Sequence, residues 1–288
     1  MTIKEFRNKF YSLLEAEGHE PGEVVSLFRL LGEGFLGMSR VDMTLNLNKE
    51  LSRVELSALE KGLKRLQKHE PIQYILGEIE FFGLPFKVNK NVLIPRPETE
   101  ELVEWILQDL QEIGKDEPRI LDIGTGSGCI AVSLAKNLPK ALVSAIDISE
   151  AALETAKMNA ALNGVEVRFL QKDILSMGEL TEKYDLIVSN PPYVRELEKH
   201  EMKPNVLNNE PETALFVKDE NPLLFYDKIA KLAQVGLKKN GGLYFEINQY
   251  LGKETEQLIR EAGMETELRK DFLGNFRMLK GIRSLPKS

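Results

Sequence analysis

The first part of the chain carries apolar side chains at the three- and four-residue spacing that is typical of amphipathic helices. Thr2 stands three positions before a glutamate, ahead of the first apolar series, and this capping-box pattern predicts a helix start. Pro21 suits the first position of a second helix, and Gly32 and Gly34 are expected to stop it. The pattern predicts a small, all-helical domain over residues 1–77.

The hydrophobic pattern changes after this helical part. Residues 78–93 are interpreted as a hairpin linker, with its turn at Gly83-Leu84-Pro85. From Arg119 onward, strand-like and helix-like segments alternate, which predicts a mostly parallel sheet. The stretch 266–280 is expected to close that sheet as an antiparallel hairpin. We therefore predict an α/β fold, with a Rossmann-like sheet over residues 94–288 joined to the helical domain by the hairpin.

Composition indicates which classes of protein the chain can belong to. The 288 residues are 42% hydrophobic, and no apolar run approaches the ~20 residues that span a bilayer. We therefore expect a cytoplasmic protein without a membrane span. Cys129 is the only cysteine and the three histidines are scattered, which excludes an internal disulfide and predicts no metal site. The net charge of −7 argues against a broad nucleic-acid-binding face.

The tetrapeptide Asn190-Pro191-Pro192-Tyr193 carries the most specific chemistry in the chain. It follows the apolar run Leu186–Val188, which predicts a buried strand, so the motif lies where open α/β sheets bind their ligands. The prolines lack an N–H and stiffen the turn, while the Asn190 side chain adds an oxygen acceptor. Tyr193 adds a flat ring that can cover a planar group. A rigid acceptor pair beside an aromatic ring suits a planar –NH2 group.

A glycine-rich loop lies upstream, between a predicted strand at Ile120–Ile123 and a predicted helix that begins at Ile130. Its glycines let the backbone turn sharply and let a ligand approach closely. A dinucleotide fold needs a glycine three positions after Gly126, where this chain has Cys129. The G-x-G-x-G spacing therefore fits an adenosyl ligand without a pyrophosphate better than NAD. The candidate ligand-binding residues of this loop are Asp122, Gly124, Thr125, Gly126, Ser127 and Gly128.

Two aspartates follow the next predicted strands. Asp147 ends the strand Leu142–Ile146 and lies 23 positions after Gly124, close to the ~20 expected for a ribose-binding carboxylate. Taken alone, Asp147 would be interpreted as a helix cap. Asp173 follows the predicted strand Val165–Leu170 and could reach an adenine amino group, although a cap or turn role fits the pattern equally well.

Together, the glycine loop and the Asn-Pro-Pro-Tyr motif resemble those of class I methyltransferases that use S-adenosylmethionine (SAM) and methylate an amide or amine nitrogen. The segment Ile94-Pro95-Arg96-Pro97-Glu98-Thr99-Glu100 looks like the I-P-R-P-E-T-E signature of the HemK/PrmC-type release factor glutamine methyltransferases. Glu70–Gly77 looks like their E-P-x-Q-Y-I-x-G segment, and the resemblance extends from about Leu13 to Gly281. Asn-Pro-Pro-Tyr alone is shared with DNA adenine and RNA guanine methyltransferases, so the segment 94–100 discriminates between these families.

The resemblance implies methyl transfer from SAM, with S-adenosylhomocysteine as product, to the glutamine amide in the Gly-Gly-Gln motif of class 1 peptide chain release factors. Asn190 and Pro191 would each accept one N–H of that amide, with Pro192 and Tyr193 also contacting the substrate and the tyrosine ring on the amide plane. The helical domain would recognise the protein substrate. The residues expected around SAM are those of the glycine loop together with Asp147, Asp173, Ile174 and Asn190.

Two segments keep more than one interpretation. Arg96, Thr99 and Glu100 either close the pocket from its other side or form a rigid edge, with Thr99 or Glu98 capping a helix over residues 102–110. The polar stretch from Tyr193 to Leu215 is expected to be a mobile cover of the site.

Three other functions fit parts of the pattern. One is a nucleic-acid methyltransferase that acts on an exocyclic base amine, against which the acidic charge and the helical domain argue. The second is a glutamine methyltransferase of a ribosomal protein, whose signature differs around residues 95–100. The third is a nonenzymatic SAM-binding protein on a methyltransferase fold. The chain departs from the family pattern at Asn248, where relatives usually carry glycine, and at Ile174, where some carry tryptophan.

Overall fold

The computed structural model describes residues 1–283. The chain forms two compact units, one made of residues 1–78 with 203–209 and the other of residues 79–202 with the chain from Glu210 onward. The last five positions of the predicted methyltransferase domain, 284–288, lie outside the described residues. Within residues 1–283, no helix combines the length and the hydropathy that crossing a membrane requires.

The first unit is helical, and the second combines helices with strands. The α-helices of the described chain are α1 (Ile3–Ala16), α2 (Pro21–Leu36), α3 (Arg40–Leu45), α4 (Arg53–Leu66), α5 (Ile72–Leu76), α6 (Pro97–Ile113), α7 (Cys129–Asn137), α8 (Glu150–Asn163), α9 (Pro204–Leu207), α10 (Glu212–Leu215), α11 (Leu224–Gly236) and α12 (Gly252–Glu261). The strands are β1 (Glu78–Phe81), β2 (Leu84–Lys87), β3 (Arg119–Ile123), β4 (Leu142–Asp147), β5 (Arg168–Gln171), β6 (Tyr184–Ser189), β7 (Val194–Arg195), β8 (Phe216–Val217), β9 (Leu237–Glu246), β10 (Glu265–Lys270) and β11 (Phe276–Ile282). A 3₁₀ helix spans Glu196–Glu201.

The first helix begins where its sequence predicts. The Thr2 hydroxyl accepts a hydrogen bond from the Glu5 N–H at 3.2 Å, and the Glu5 carboxylate accepts one from the Thr2 N–H at 2.8 Å, which confirms the capping box. The apolar face of α1 is buried in the helical core. There, the rings of Phe10 and Phe28 meet edge to face, with centroids 5.5 Å apart.

The prediction that Gly32 and Gly34 end the second helix is wrong. α2 continues to Leu36 and ends at Gly37, which adopts the left-handed conformation at φ 62°. A Cβ atom on Gly32 would lie 2.1 Å from the sulfur of Met43. Glycine is therefore used within this helix for close side-chain packing and after it for the turn.

The predicted hairpin is present, but its turn lies earlier than expected. Phe82 and Gly83 form the turn, with φ angles of 52° and 69°. Positive φ at both central residues is what a two-residue, type I′ hairpin turn requires. Leu84 and Pro85, for which the sequence predicts a place in the turn, belong to β2 instead. The hairpin packs through Phe81 and Phe86 into the core of the second unit.

The second unit is built on a seven-stranded sheet in the order β10-β11-β9-β6-β3-β4-β5. Strands β9, β6, β3, β4 and β5 are parallel, whereas β11 runs antiparallel to both of its neighbours. Alternate residues of β6 face opposite cores, with Leu186 and Val188 towards α6 to α8 and Ile187 towards α11 and α12. The predicted α/β fold and its closing antiparallel hairpin are confirmed.

Two predicted segments differ in detail from the structure. β5 begins at Arg168 rather than Val165, because α8 ends at the left-handed Gly164 and the Val165 N–H bonds back to the Ala160 carbonyl at 3.1 Å. The stretch predicted as a long loop, 193–215, contains β7, the 3₁₀ helix, α9 and α10. Its short helices satisfy backbone groups that an irregular segment would leave to solvent.

Candidate active site

The carboxyl ends of β3, β4 and β6 meet at one edge of the sheet. The chain runs from β3 outward to β4 and β5, then returns to the other side of β3 with β6. This reversal of strand order is where open α/β sheets form a ligand crevice. A cleft of about 550 Å³ opens there, within the size range of small-molecule sites. The sequence-predicted residues that line it are Arg96, Thr99, Gly124, Thr125, Gly126, Ser127, Asp147, Asp173, Ile174, Asn190, Pro191 and Pro192.

The glycine loop is fastened to the neighbouring strand. The N–H groups of Gly124 and Thr125 both donate to the Ile146 carbonyl, at 2.8 and 3.1 Å. Gly124 and Gly126 have φ angles of 74° and 54°, which side chains rarely adopt. Their backbone therefore forms the floor of the cleft, with no side chain between it and a ligand.

Asp147 presents its carboxylate at the rim of this floor. One oxygen accepts the Gly126 N–H and the other the Ser149 N–H, each at 2.9 Å. The helix that follows is capped by the Ser149 side chain, which accepts from the Ala152 N–H, so the helix-cap interpretation of Asp147 is wrong. Two carboxylate oxygens with further lone pairs remain at the cleft, which suits a pair of neighbouring hydroxyls.

Asp173 and Ile174 line the far end of the cleft. An oxygen of Asp173 accepts the Leu175 N–H at 2.9 Å, so the turn interpretation of this residue holds in the structure. Ile174 is 9% exposed and packs with the core on the α11 side, giving the cleft an apolar wall.

Two residues of the glycine motif lie beneath the cleft rather than on its wall. Asp122 is fully buried, where one oxygen accepts the Thr125 hydroxyl at 2.6 Å and the other has no partner. Burial raises the pKa of Asp122 to about 7. Gly128 adopts φ 81°, and a Cβ atom there would lie 3.0 Å from the Ala156 side chain. These positions shape the loop from below and do not border the cleft.

The Asn-Pro-Pro-Tyr motif continues directly from β6. Asn190 donates its side-chain N–H to the Thr99 hydroxyl at 3.4 Å, a long contact, and lines the cleft together with both prolines. Tyr193 does not line it. Its ring packs against the core, its hydroxyl donates to Glu246 at 2.9 Å, and burial raises the pKa of that hydroxyl.

Glu246 is a residue that sequence reasoning missed. It ends β9 and is 1% exposed, with one oxygen accepting the Tyr193 hydroxyl and the other accepting the Thr99 hydroxyl at 2.6 Å. Burial raises the pKa of its carboxyl, and these two hydrogen bonds oppose that shift. The available signal was an acidic residue inside the apolar run Leu243–Ile247, which is rare without a specific partner.

The segment that begins at Ile94 is held by a second buried carboxylate. Glu210, 4% exposed, accepts the Ile94 N–H at 3.1 Å and pairs with the Arg96 guanidinium at 2.6 Å. Glu100 does not line the cleft, because its carboxylate accepts the Phe82 N–H at 2.9 Å and so fixes the hairpin turn. Of the two interpretations of this segment, Arg96 fits the pocket and Glu100 fits the rigid edge.

α6 starts without a side-chain cap. Its N-cap position is Arg96 and its first residue is Pro97. The expectation that Thr99 or Glu98 caps this helix is therefore wrong. Thr99 lies within the first turn, 2% exposed, and directs its hydroxyl to Glu246.

Asn248, a departure from the family pattern, has a definite contact set. Its side-chain N–H donates to the Tyr193 carbonyl and to the Glu198 carboxylate, each at 2.9 Å. Glycine has no group for either bond. The asparagine therefore ties the end of the Asn-Pro-Pro-Tyr motif to the 3₁₀ helix.

Cys129 borders the cleft at the start of α7, but burial raises the pKa of its thiol to about 12. A thiol in that state is a poor nucleophile. In the part of the chain that the structure describes, no group of three or more histidine, cysteine, aspartate or glutamate side chains is placed to hold a metal ion.

Comparison with known proteins identifies the class of this fold. Residues 101–218 match the family model of the methyltransferase small domain, and residues 5–77 match that of the PrmC N-terminal domain. A 16S rRNA N2 G1207 methyltransferase from T. thermophilus, solved with AdoMet and guanosine, superposes with a TM-score of 0.54 at 18% identity, covering 72% of this chain and 49% of that one. That likeness shows the fold alone. The sheet order and the cleft at its switch point are those of a class I methyltransferase.

Full-length relatives specify the family. The release factor glutamine methyltransferase of Flavobacterium psychrophilum is 53% identical over 97% of this chain and 99% of its own length. The protein of the same name from Bacteroides thetaiotaomicron is 48% identical over 92% and 95%. The chain belongs to the release factor glutamine methyltransferase family.

Proposed function

We propose that this protein transfers a methyl group from SAM to the side-chain amide nitrogen of a glutamine, in the Gly-Gly-Gln motif of class 1 peptide chain release factors. The observation that carries the proposal is the convergence of Asn190 and Pro191 with the glycine loop on one cleft. The names of the full-length relatives supply the substrate.

The cleft suits SAM, which supplies an electrophilic methyl group when it is bound. The open backbone at Gly124 and Gly126 would lie along its methionine part. Asp147 would accept hydrogen bonds from the ribose hydroxyls. Ile174 would pack on the adenine, with Asp173 near its amino group.

The acceptors of the Asn-Pro-Pro-Tyr motif address the weakness of an amide nucleophile. The nitrogen lone pair of an amide is delocalised into its carbonyl, so the nitrogen attacks poorly. Asn190 Oδ1 and the Pro191 carbonyl would each accept one N–H and hold the nitrogen in line with the methyl group. Their dipoles also stabilise positive charge as it develops on nitrogen. The amide that has just accepted the methyl group carries a positive charge and both of its original hydrogens on nitrogen, and this cation is acidic enough to release one proton to water, so no dedicated base is required.

The remaining parts of the chain support recognition of a protein. We propose that the helical domain, residues 1–77, binds the release factor, that residues 78–93 link it to the methyltransferase domain, and that the stretch 193–215 covers the bound glutamine. A protein of this function works in the cytoplasm, where translation ends. Nucleic acid is not expected as a direct substrate.

The decisive test uses tritiated SAM and a purified release factor, with the Gly-Gly-Gln glutamine intact or replaced. We expect label on the intact factor alone, with mass spectrometry locating the methyl group on that glutamine. Label on DNA, RNA or a ribosomal protein, and never on this glutamine, would refute the proposal in favour of one of the other methyltransferase functions. No transfer to any of them, with SAM still bound, would indicate a nonenzymatic binding protein.

Asn190→Ala tests the acceptor role within the same assay. Because that role matters most in the transition state, turnover should fall by about 10²-fold or more, with little change in release-factor binding. Single-turnover methylation with both substrates saturating measures this, and circular dichroism confirms folding. Near-normal turnover would mean that the Pro191 carbonyl and positioning suffice.

A further inference from the structure

The buried carboxylate of Glu246 reaches both ends of the Asn-Pro-Pro-Tyr motif. It contacts Tyr193 directly through the tyrosine hydroxyl at 2.9 Å. It reaches Asn190 through Thr99, whose hydroxyl lies 2.6 Å from Glu246 and 3.4 Å from the Asn190 amide nitrogen. Glu246 is 1% exposed, and burying a carboxylate costs free energy. Because both of its oxygens are used in contacts at this site, its presence calls for an explanation beyond packing.

The direction of these hydrogen bonds determines how Asn190 is oriented. The Thr99 hydroxyl donates to one oxygen of Glu246 and the Tyr193 hydroxyl donates to the other, so the single hydroxyl hydrogen of Thr99 is committed to Glu246. Towards Asn190, the Thr99 oxygen is then left with lone pairs and can only accept. It therefore selects the Nδ2 side of the asparagine amide, which leaves Oδ1 on the opposite side for the cleft that Asn190 lines.

The alternative orientation would disable the site. If the Thr99 hydrogen were free, it could donate to Asn190 Oδ1, and rotation of the amide by half a turn would place its NH2 group in the cleft. That group would then face the NH2 group of a glutamine substrate, donor against donor. The two orientations have nearly the same shape, so packing alone does not choose between them.

We infer that Glu246 is a positioning residue that acts through Thr99 to hold Asn190 with its oxygen acceptor facing the substrate. Glu246 touches no reacting atom. This inference rests on the proposed amide methylation, since only a substrate that donates N–H groups makes the orientation of Asn190 matter. It also explains why the threonine is buried in the first turn of α6, where it caps nothing.

Thr99→Val and Thr99→Ser test the inference with nearly isosteric side chains. Valine cannot accept from Asn190, so turnover at saturating substrates should fall by about 10-fold or more, while the KM for release factor and the Kd for SAM stay within about threefold. Serine keeps the hydroxyl and should restore the turnover that valine loses. If Thr99→Val instead loses its fold or its affinity for SAM, and turnover at saturating substrates does not fall, Thr99 has a structural role and the inference is overturned.

Glu246→Gln tests whether the carboxylate acts through the threonine. An amide at this position accepts on one side only, so the Thr99 hydrogen can be released and turnover should fall. In the double variant with Thr99→Val, the loss should be clearly smaller than the product of the two single losses, because both changes break one chain of contacts. Losses that simply multiply would show that Glu246 does not act through Thr99.

Tyr226→Phe is the matched control. The Tyr226 hydroxyl donates to the backbone carbonyl of Glu246 at 3.2 Å and is equally buried. Its removal therefore disturbs the same residue without touching the carboxylate. We expect turnover within about twofold of the parent enzyme. A loss as large as that of Glu246→Gln would indicate that any damage to this strand end slows the enzyme.

A measurement without substrate separates this inference from the proposed function. Nuclear magnetic resonance of the free protein, labelled with ¹⁵N-asparagine, reports hydrogen exchange at the Asn190 side-chain NH2. The signal is assigned by its absence in Asn190→Ala. Exchange should be faster in Thr99→Val than in the parent, and Thr99→Ser should resemble the parent. Equal exchange in all three would overturn the inference, even for a protein that methylates no release factor.

Discussion

Replacement of Asp147 gives the sharpest test of the cofactor site. Its two oxygens hold the Gly126 and Ser149 N–H groups at 2.9 Å, and the same oxygens have lone pairs directed to the cleft. Asp147→Ala removes the bonds that we propose for the ribose hydroxyls. The expected loss in SAM binding is ~1–3 kcal/mol, because hydrogen bonds to charged groups contribute on that scale. That range corresponds to a Kd increase of about 5- to 150-fold.

Isothermal titration calorimetry with SAM measures this change directly. Glu150→Ala is the control, since it removes an equal charge three positions further on, where the side chain is exposed and does not line the cleft. Asp147→Asn keeps one acceptor oxygen and should fall between the parent and the alanine variant. Unchanged affinity in folded Asp147→Ala, or equal weakening by Glu150→Ala, would remove Asp147 from the binding site.

Three further changes test the surroundings of the cleft. Glu210→Gln loses the charge that pairs with Arg96 at 2.6 Å. Unfolding in urea should therefore show a free energy of unfolding lower by ~1–3 kcal/mol, together with a higher KM for SAM. If both quantities equal those of the parent, the ion pair is dispensable. Gly128→Ala places a side chain on a residue with φ 81° and brings its Cβ atom to 3.0 Å from Ala156. Thermal denaturation should therefore show a lower Tm, corresponding to a loss of ~1–3 kcal/mol in the free energy of unfolding. An unchanged Tm would mean that α8 shifts to make room for the added methyl group. Burial raises the folded-state pKa of Asp122 to about 7. The contribution of this residue to stability is therefore fully present below the unfolded-state pKa near 4 and is lost as pH rises towards 7. Over that range the free energy of unfolding should change by at most about 1.4 kcal/mol per pH unit. Asp122→Asn should flatten that part of the stability curve, and an unchanged slope would assign it to other groups.

Local sequence pattern determined most of the elements and the position of the cleft. The capping box at Thr2, the strands that precede Gly124 and Asn190, and the closing antiparallel hairpin follow from short-range periodicity and turn chemistry. The parallel pairing of the sheet follows from the alternation of strands and helices, whereas the strand order, which reverses at β3, is seen only in the folded chain. Local rules misplaced only details, such as the glycines inside α2, where close packing outweighs low helix propensity.

Only the tertiary structure decided which polar side chains border the cleft and which support it from behind. Thr99 bonds Glu246 across 147 positions of sequence, and Ile94 bonds Glu210 across 116. The sequence placed Tyr193 in the pocket and left Glu100 open between the pocket and a rigid edge, yet their polar groups pair with Glu246 and Phe82. A sequence motif fixes which donors and acceptors a segment carries. A buried donor or acceptor, however, must pair with whichever group the fold brings to within about 3 Å. Because that group often lies on a distant strand or helix, the pairing is set by tertiary packing and not by local sequence.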